Sequence, residues 1–422
     1  MIGPAALFGF RKRCPAGAVL TALLLASTTA TAAQPWSRHL IDGSLRGADG
    51  VRLADLNRDG RPDLVTPWEE AGAVRAYLHP GPDGARQPWP AVTIGRVASP
   101  EDAVPVDLDG DGQIDVISCC EGTARTIYVH WAPAAPGDYL HPQKWKTEAI
   151  PVTRGVAAWM FAIPLEIDGR PGVDLVVGSK GPGASVGWLR VPARARQLKR
   201  WQFQPWHRTG WIMSLQSNDL DRDGDLDLLL SDRRGPHRGV SWLENPGVQT
   251  DRTVPWRRRR LDAGDREVMF LASGDLDRDG LRDVVCAVRG GGISFLRANR
   301  DPRQPWSFHE IQLPEGVGTG KGVAIGDIDR DGRPDLVFSC ERATGDKSGV
   351  RWLSYADSPW EVVWRDHEIS GPQGIKFDRL ELLDIDGDGD LDVLTCEERE
   401  INAVLWYENP HLAGGASTRP KR

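Results

Sequence analysis

An all-β chain closed into a seven-bladed β-propeller of four-stranded blades is predicted by three features that recur in step along the 422 residues. A nine-residue acidic turn of the form DxDxDGxxD returns every fifty to sixty residues or so, a tryptophan opens a short run ending in an apolar residue, and an aromatic run follows each acidic turn. Units repeated at a fixed period, each too small to bury its own apolar face, must stack on their neighbours. Four short antiparallel strands per unit without helical periodicity are the pattern of propeller blades.

Six acidic turns are intact. Positions one, three, five and nine are filled by Asp55, Asn57, Asp59 and Asp63; Asp107, Asp109, Asp111 and Asp115; Asp219, Asp221, Asp223 and Asp227; Asp275, Asp277, Asp279 and Asp283; Asp327, Asp329, Asp331 and Asp335; and Asp384, Asp386, Asp388 and Asp392. Position seven, which offers a backbone carbonyl, is Arg61, Gln113, Asp225, Leu281, Arg333 or Asp390. Hard oxygens two residues apart converge on one point when the chain coils tightly, which the glycine at position six permits. Calcium takes about six to eight such oxygens at about 2.3–2.6 Å, whereas zinc or copper would favour His or Cys, and neither occupies a ligand position. Up to six structural calcium ions are therefore expected. An EF-hand is excluded, because it needs Glu at position twelve and flanking helices, whereas Thr66 and Leu230 stand there in two of the turns.

A seventh copy, third in order, keeps its length while its chemistry changes. Glu166, Asp168 and Asp174 remain, but Arg170 replaces the fifth-position acid and Pro171 the glycine. A guanidinium fixed to the chain neutralises the acids in place of an ion, so no calcium is expected there.

Each unit then reads in order. A small-residue run before the acidic turn, such as Gly322–Ile328, is the inner strand; the apolar run after it, such as Leu228–Leu230 or Leu336–Phe338, is the second; the aromatic run from Gly239, Gly349 or Ala403 is the third. Trp-led runs, Trp36–Ile41, Trp89–Ile94, Trp145–Ile150, Trp256–Leu261, Trp306–Ile311 and Trp364–Ile369, with a looser one from Trp201, are outer strands. The last repeat stops after its third strand near Pro410, and Trp36–Ile41 is an outer strand without a blade. Pairing the two closes the ring and removes two exposed sheet edges.

These features resemble the FG-GAP or VCBS repeat family, whose seven-bladed propellers include the headpiece of integrin α subunits. The resemblance rests on the DxDxDGxxD turns and covers nearly all of residues 34–410, while clear Phe-Gly and Gly-Ala-Pro signatures are lacking. It implies the fold and the calcium, and leaves the ligand open.

Residues 1–33 read as a cleaved secretory signal: Arg11, Lys12 and Arg13, an apolar stretch from about Ala16 to Ala26, then small residues to Ala33. Residues 34–410 form the propeller and 411–422 a disordered tail. With no run of roughly 18 apolar residues after the signal, the mature chain is expected to be secreted or periplasmic, and monomeric. Its formal charge of −7 becomes −10 without the signal's three basic residues, and six calcium ions would bring it to +2. The acidity belongs to the turns, and no basic stripe supports nucleic-acid binding. Cys119, Cys120, Cys286, Cys340 and Cys396 each follow a ninth-position Asp by three to five residues and are expected as packed thiols.

The acidic turns crowd one rim. The opposite rim gathers the connections between second and third strands and the entries to the inner strands, bringing Glu69, Glu121, Trp159, Trp211, Arg233, Glu267, Arg289, Lys321, Glu341, Lys376, Arg379 and Glu397 toward one concave mouth. No nucleophile motif accompanies them. The chain therefore reads as a calcium-stabilised, non-catalytic binding scaffold for a glycan or a secreted or cell-surface protein. The alternative is a polysaccharide lyase or hydrolase acting on acidic glycans in the same mouth.

Overall fold

The computed structural model of the protein describes residues 34–410 apart from 171, 248–253 and 262–264. The expected signal, the expected tail and Pro171 lie outside the described residues.

Seven four-stranded antiparallel sheets make the seven blades. Blade 1 runs Arg52–Ala54, Asp63–Trp68, Ala73–Tyr77 and Ala91–Arg96, and blades 2 to 6 repeat that order over 100–149, 158–208, 212–260, 268–311 and 319–368. Blade 7 takes Phe377–Leu383, Asp392–Glu397 and Ala403–Glu408 from the end of the chain, and Ser37–Asp42 from its beginning. Arg38 pairs with Tyr407, His39 with Trp406 and Leu40 with Leu405, which is the closure expected from the two incomplete ends. A strand left without this partner would expose a row of backbone donors and acceptors.

Second strands are buried on both faces, as their unbroken apolar runs require; Leu228, Leu229 and Leu230 are fully covered. The core lies between blades. Ile41, Trp68, Tyr77, Ile385, Leu394 and Trp406 form one such layer, between blades 7 and 1. Each Trp that opens an outer strand is buried, and its indole can hold the connection that delivers the strand. Nε1 of Trp89, Trp145, Trp201 and Trp306 donates to the carbonyls of Ala85, Tyr139, Ala195 and Pro302 at 2.8–3.1 Å. The five cysteines are buried thiols within the second strands.

One feature of the inner strands positions the mouth. In blades 2 to 7 the ladder to the second strand slips as the chain enters, between Pro100 and Asp102, Trp159 and Phe161, Ile212 and Ser214, Val268 and Leu271, Gly320 and Gly322, and Phe377 and Leu380. A bulge of this kind re-aims a side chain, and here the re-aimed residues reach the axis.

Candidate functional site

The acidic turns fold on their own carboxylates. In the first, Asp55 accepts the amides of Asp59 and Gly60 at 3.0 Å, and Asp59 accepts that of Arg61 at 2.9 Å. Asp63 accepts Leu56 N at 2.9 Å on one oxygen and His79 N at 2.7 Å on the other, bolting the turn to the end of the third strand. Asp115, Asp227, Asp283 and Asp392 repeat both bonds. Glycine at position six has φ between 83° and 97° in all six turns, a left-handed value that other residues adopt at a cost.

The remaining lone pairs converge. One oxygen from each of Asp107, Asp109 and Asp115 lies within 4.8 Å of the others, and the same holds for Asp219, Asp221 and Asp227 and for Asp275, Asp277 and Asp279. Oδ1 of Asp221 and Oδ1 of Asp327 are buried without a hydrogen-bond partner. Burial first, then the neighbouring acids, raises the ninth-position carboxyls: Asp63 to about 6, Asp115, Asp283 and Asp335 to about 7, and Asp392 to about 8. A set of crowded hard oxygens, two of them orphaned, fits a hard divalent cation and nothing softer. Arginines share the turns: Arg303 meets Asp221 at 2.6 Å, Arg196 meets Asp109 at 2.5 Å, and Arg86 meets Asp386.

The degraded turn differs as its chemistry demands, though not as fully as expected. Arg170 pairs with Asp168 and reaches Val191 O at 3.2 Å, and a second guanidinium, Arg190, meets Asp168 at 3.1 Å. Two arginines thus sit on the third-position acid, while Glu166 is exposed.

On the opposite rim an axial cavity of about 230 Å³ is lined by Glu69, Glu121, Trp211, Arg233, Lys321, Glu341, Lys376 and Arg379 from the expected mouth, together with Asp49, Glu101, Asp102, Met160, Phe161, Lys180, Met213, Met269, Phe270 and Asp378. Glu267 and Arg289 stand just outside the cavity wall: Glu267 receives Arg233 and Arg289 at 3.4 Å, and Arg289 meets Glu341 at 3.3 Å. Lys180, Arg233 and Arg234 approach the ring of Trp211 at 4.7, 4.5 and 5.0 Å.

Two expected mouth residues are placed elsewhere. Trp159 is 0 % exposed, with its indole on Thr153 O at 3.1 Å, because the bulge sends Met160 to the axis in its stead. Glu397 is also 0 % exposed and takes backbone amides of Ile375, Lys376, Arg399, Glu400, Ile401 and Asn402, organising the loop rather than facing the cavity. Its neighbour Glu398 faces inward and receives Lys321 at 3.2 Å and also Lys376.

Buried charge concentrates at this mouth. Glu101 is raised to about 8, by burial before its neighbours Glu121 and Glu69, with Lys180 opposing. Asp49 is raised well above the usual carboxylate range by burial and by Glu398, Asp378 and Glu101. Burial alone would lower Lys321, but Asp378 and Glu398 hold it protonated, and Asp378 is lowered in return.

Comparison with known proteins agrees with this geometry. Residues 55–118 and 275–338 match the model of the FG-GAP-like repeat. Each segment runs from position one of an acidic turn into the second strand of a blade. These are FG-GAP-like repeats. Integrin alpha pat-2 of Caenorhabditis elegans is 29% identical over 109 residues, and that of Caenorhabditis briggsae 28% over 109, each match covering 24% of this chain and 9% of the integrin. The match thus spans under a tenth of those relatives' length. Among solved structures, crystals of BBS1N in complex with ARL6DN, soaked with mercury or with lead, hold a chain similar at 11% and 12% identity with TM-scores of 0.52 and 0.53. The alignments cover 89% and 90% of this chain and 96% and 98% of those, a likeness of fold.

Within the acidic turns, position four carries a signal that the sequence analysis above did not use. That position is left-handed throughout: Arg58, Arg222, Arg278 and Arg330 have φ of 58–63°, and Gly110, Gly169 and Gly387 fill it elsewhere. The signal was available, since every turn carries Arg or Gly there. The bulge residues Met213 and Met269 were not foreseen, because strict strand alternation does not announce them, whereas Glu101, Met160 and Asp378 lie on the entries to the inner strands that were expected at this rim.

Proposed function

We propose that this FG-GAP propeller is an exported, calcium-stabilised binding scaffold, with its ligand site in the axial mouth opposite the acidic turns. The observation that carries the reading is the ionisable set at the wall of an axial cavity, buried Glu101, Lys321 and Asp378 with half-buried Asp49. Burying charge opposes folding unless a partner or a task compensates, and perturbed ionisable groups in a cleft mark a site.

Calcium has the structural role. Positions one, three, five and nine of the six intact turns would supply side-chain oxygens, and position seven a carbonyl. A bound ion would supply positive charge to acids that otherwise repel one another at a few ångströms. The arginines beside Asp109, Asp221, Asp277 and Asp386 would then add to the neutralisation of those four turns. Integrin α chains are the named relatives, which favours a secreted or cell-surface protein as partner over a glycan.

Elemental analysis of the exported protein should find bound calcium, and excess chelator should lower the melting temperature. Capture of a protein or glycan should be lost in Trp211→Ala and Lys376→Ala while the melt is kept. An unchanged melt in chelator would sink the calcium role, and turnover of a uronic-acid polymer would replace the scaffold reading with the lyase or hydrolase alternative.

A further inference from the structure

The wall of the mouth is divided by chemistry, and the division follows the bulges. Met160, Met213 and Met269 reach the axis from blades 3, 4 and 5; they are all the methionines of the chain beyond Met1. They pack in one cluster with Phe161 and Phe270, whose rings meet edge to face at 5.7 Å. Blades 6, 7, 1 and 2 instead present Lys321, Asp378, Asp49 and Glu101. A flexible thioether surface adapts to the outline of an alkyl chain, and the aromatic rings beside it extend the same apolar wall.

On the polar arc the acids outnumber the bases. Lys180 is taken by Glu101 and Glu121, Lys321 by Asp378 and Glu398, and Lys376 by Glu398. Asp49 makes no ion pair among the described residues, and its side-chain partner is another acid, Asp378. Glu69, half-buried in the same wall, has neither an ion pair nor a side-chain hydrogen bond among the described residues. One oxygen each from Asp49, Glu69 and Glu101 lies within 4.8 Å of the other two. Acids alone would be met by solvent or by a small ion; here they share one cavity with an apolar wall of methionine and phenylalanine side chains.

We propose that the mouth binds an aliphatic primary ammonium, with its nitrogen among Asp49, Glu69 and Glu101 and its carbon chain along the methionines and Phe270. An ammonium carries three donors on one tetrahedral nitrogen, and three carboxyl groups offering one accepting oxygen each around one point are its complement, Glu101 through its carbonyl oxygen where it keeps its proton. The space is below the roughly 300–1,000 Å³ of ordinary ligand pockets, so one inserted group fits and a sugar chain does not. A free alkylamine and the lysyl side chain of a partner protein present the same chemistry. This inference rests on the mouth being the binding site.

The test is calorimetric titration of the full calcium-loaded protein with n-butylammonium, Nα-acetyl-lysinamide, tetramethylammonium and butyrate. The ammonium ligands should bind and butyrate should not. Tetramethylammonium, which lacks N–H donors, should bind at least about tenfold more weakly, and Glu69→Gln should weaken n-butylammonium by about tenfold or more with an unchanged melt. Stronger binding of the lysinamide identifies a lysyl side chain as the source, and stronger binding of butylammonium a free amine; both support the proposal. Equal binding of tetramethylammonium or butyrate, indifference to Glu69→Gln, or competitive displacement by further calcium would overturn it. If no amine binds while Trp211→Ala and Lys376→Ala abolish capture of another ligand, the ammonium inference fails and the scaffold reading stands. If those variants affect no ligand either, both fail.

Discussion

Arg222, fourth residue of one acidic turn, donates from Nη2 to the carbonyl of Gly280, sixth residue of the next turn, at 2.6 Å. Arg278 repeats the contact on Gly332 at 3.1 Å, and Arg58 and Arg330 lie against Gly112 and Gly389. The turns are thus clasped blade to blade except where glycine holds position four, around the degraded copy and at the ring closure. The clasps of Arg222 and Arg278 each set a hydrogen bond against a left-handed arginine. Replacing Arg278 with Ala should lower stability by about 1 kcal/mol, since the bond is lost and the strain remains. Arg278→Gly should be nearly neutral, because glycine releases a left-handed penalty of about 1 kcal/mol or more. Equal losses in the two variants, measured by denaturant unfolding, would show that strain is not part of the balance.

The calcium role makes a conditional prediction for position five. Asp331 Oδ1 accepts the amide of Arg333 at 2.9 Å, and its carboxylate also pairs with the Arg333 guanidinium. With calcium in excess, Asp331→Ala should lower the melting temperature by about 2–4 °C, the shift expected when one binding contribution of about 1 kcal/mol is removed from a large domain. In chelator most of that gap should vanish, because both proteins then lack the ion. A gap of equal size in both conditions assigns Asp331 to the turn's own hydrogen bonding.

The fold was legible because its signals are local and repeated. An Asp-x-Asp-x-Asp-Gly run has one economical way to coil, and a Trp before an outer strand marks the same place in every blade. The mouth was legible in outline, through loop residues such as Glu69, Glu121 and Lys376 that the topology alone delivers. It was illegible where one extra residue in an inner strand decides which side chain meets the axis: Met160 rather than its neighbour Trp159, and Met213 and Met269, which no loop position announces. A reading at period two assumes an unbroken ladder, and the slip is decided by how neighbouring blades crowd at the centre. Glu397 and Glu398 show the same limit, since adjacent acids in one loop divide into an amide anchor and an ion-pair partner of Lys321 and Lys376.

The titration of Glu101 gives a pH dependence with a definite sign. Its folded value of about 8 lies above the ordinary 4.5, so between those values the folded chain keeps a proton that the unfolded chain has released. Stability from this group is therefore full below the lower value and falls as pH rises toward the upper one. Burial is the main cause of the raised value; Lys180 opposes it from blade 3, while Glu121 from its own blade and Glu69 from blade 1 raise the carboxyl further. Glu101→Gln cannot titrate. Its stability relative to the parent should rise steadily from about pH 5 to about pH 8 and level beyond, as measured by urea unfolding with calcium held constant. A difference that does not change with pH would mean that Glu101 ionises normally.

Closure of the ring rests on one short strand, and two adjacent residues separate its contributions. Ile41 is 1 % exposed and belongs to the layer with Trp68, Leu394 and Trp406, whereas Leu40 is 41 % exposed on the other face. Both sit in the strand Ser37–Asp42, where Leu40 pairs with Leu405 and Ile41 is the bulge residue between the Leu40 and Asp42 pairs, so neither truncation removes a backbone group of the pairing with Ala403–Glu408. Ile41→Ala should remove about 2–5 kcal/mol, the usual result of emptying a packed core position, and Leu40→Ala should stay within about 0.5 kcal/mol. If the strand closes the wheel, the Ile41 loss should appear as earlier unfolding of the whole chain in a single transition. A separate early transition confined to blade 7, seen by hydrogen exchange at Val404 and Leu405, would show instead that the ring survives with this blade open.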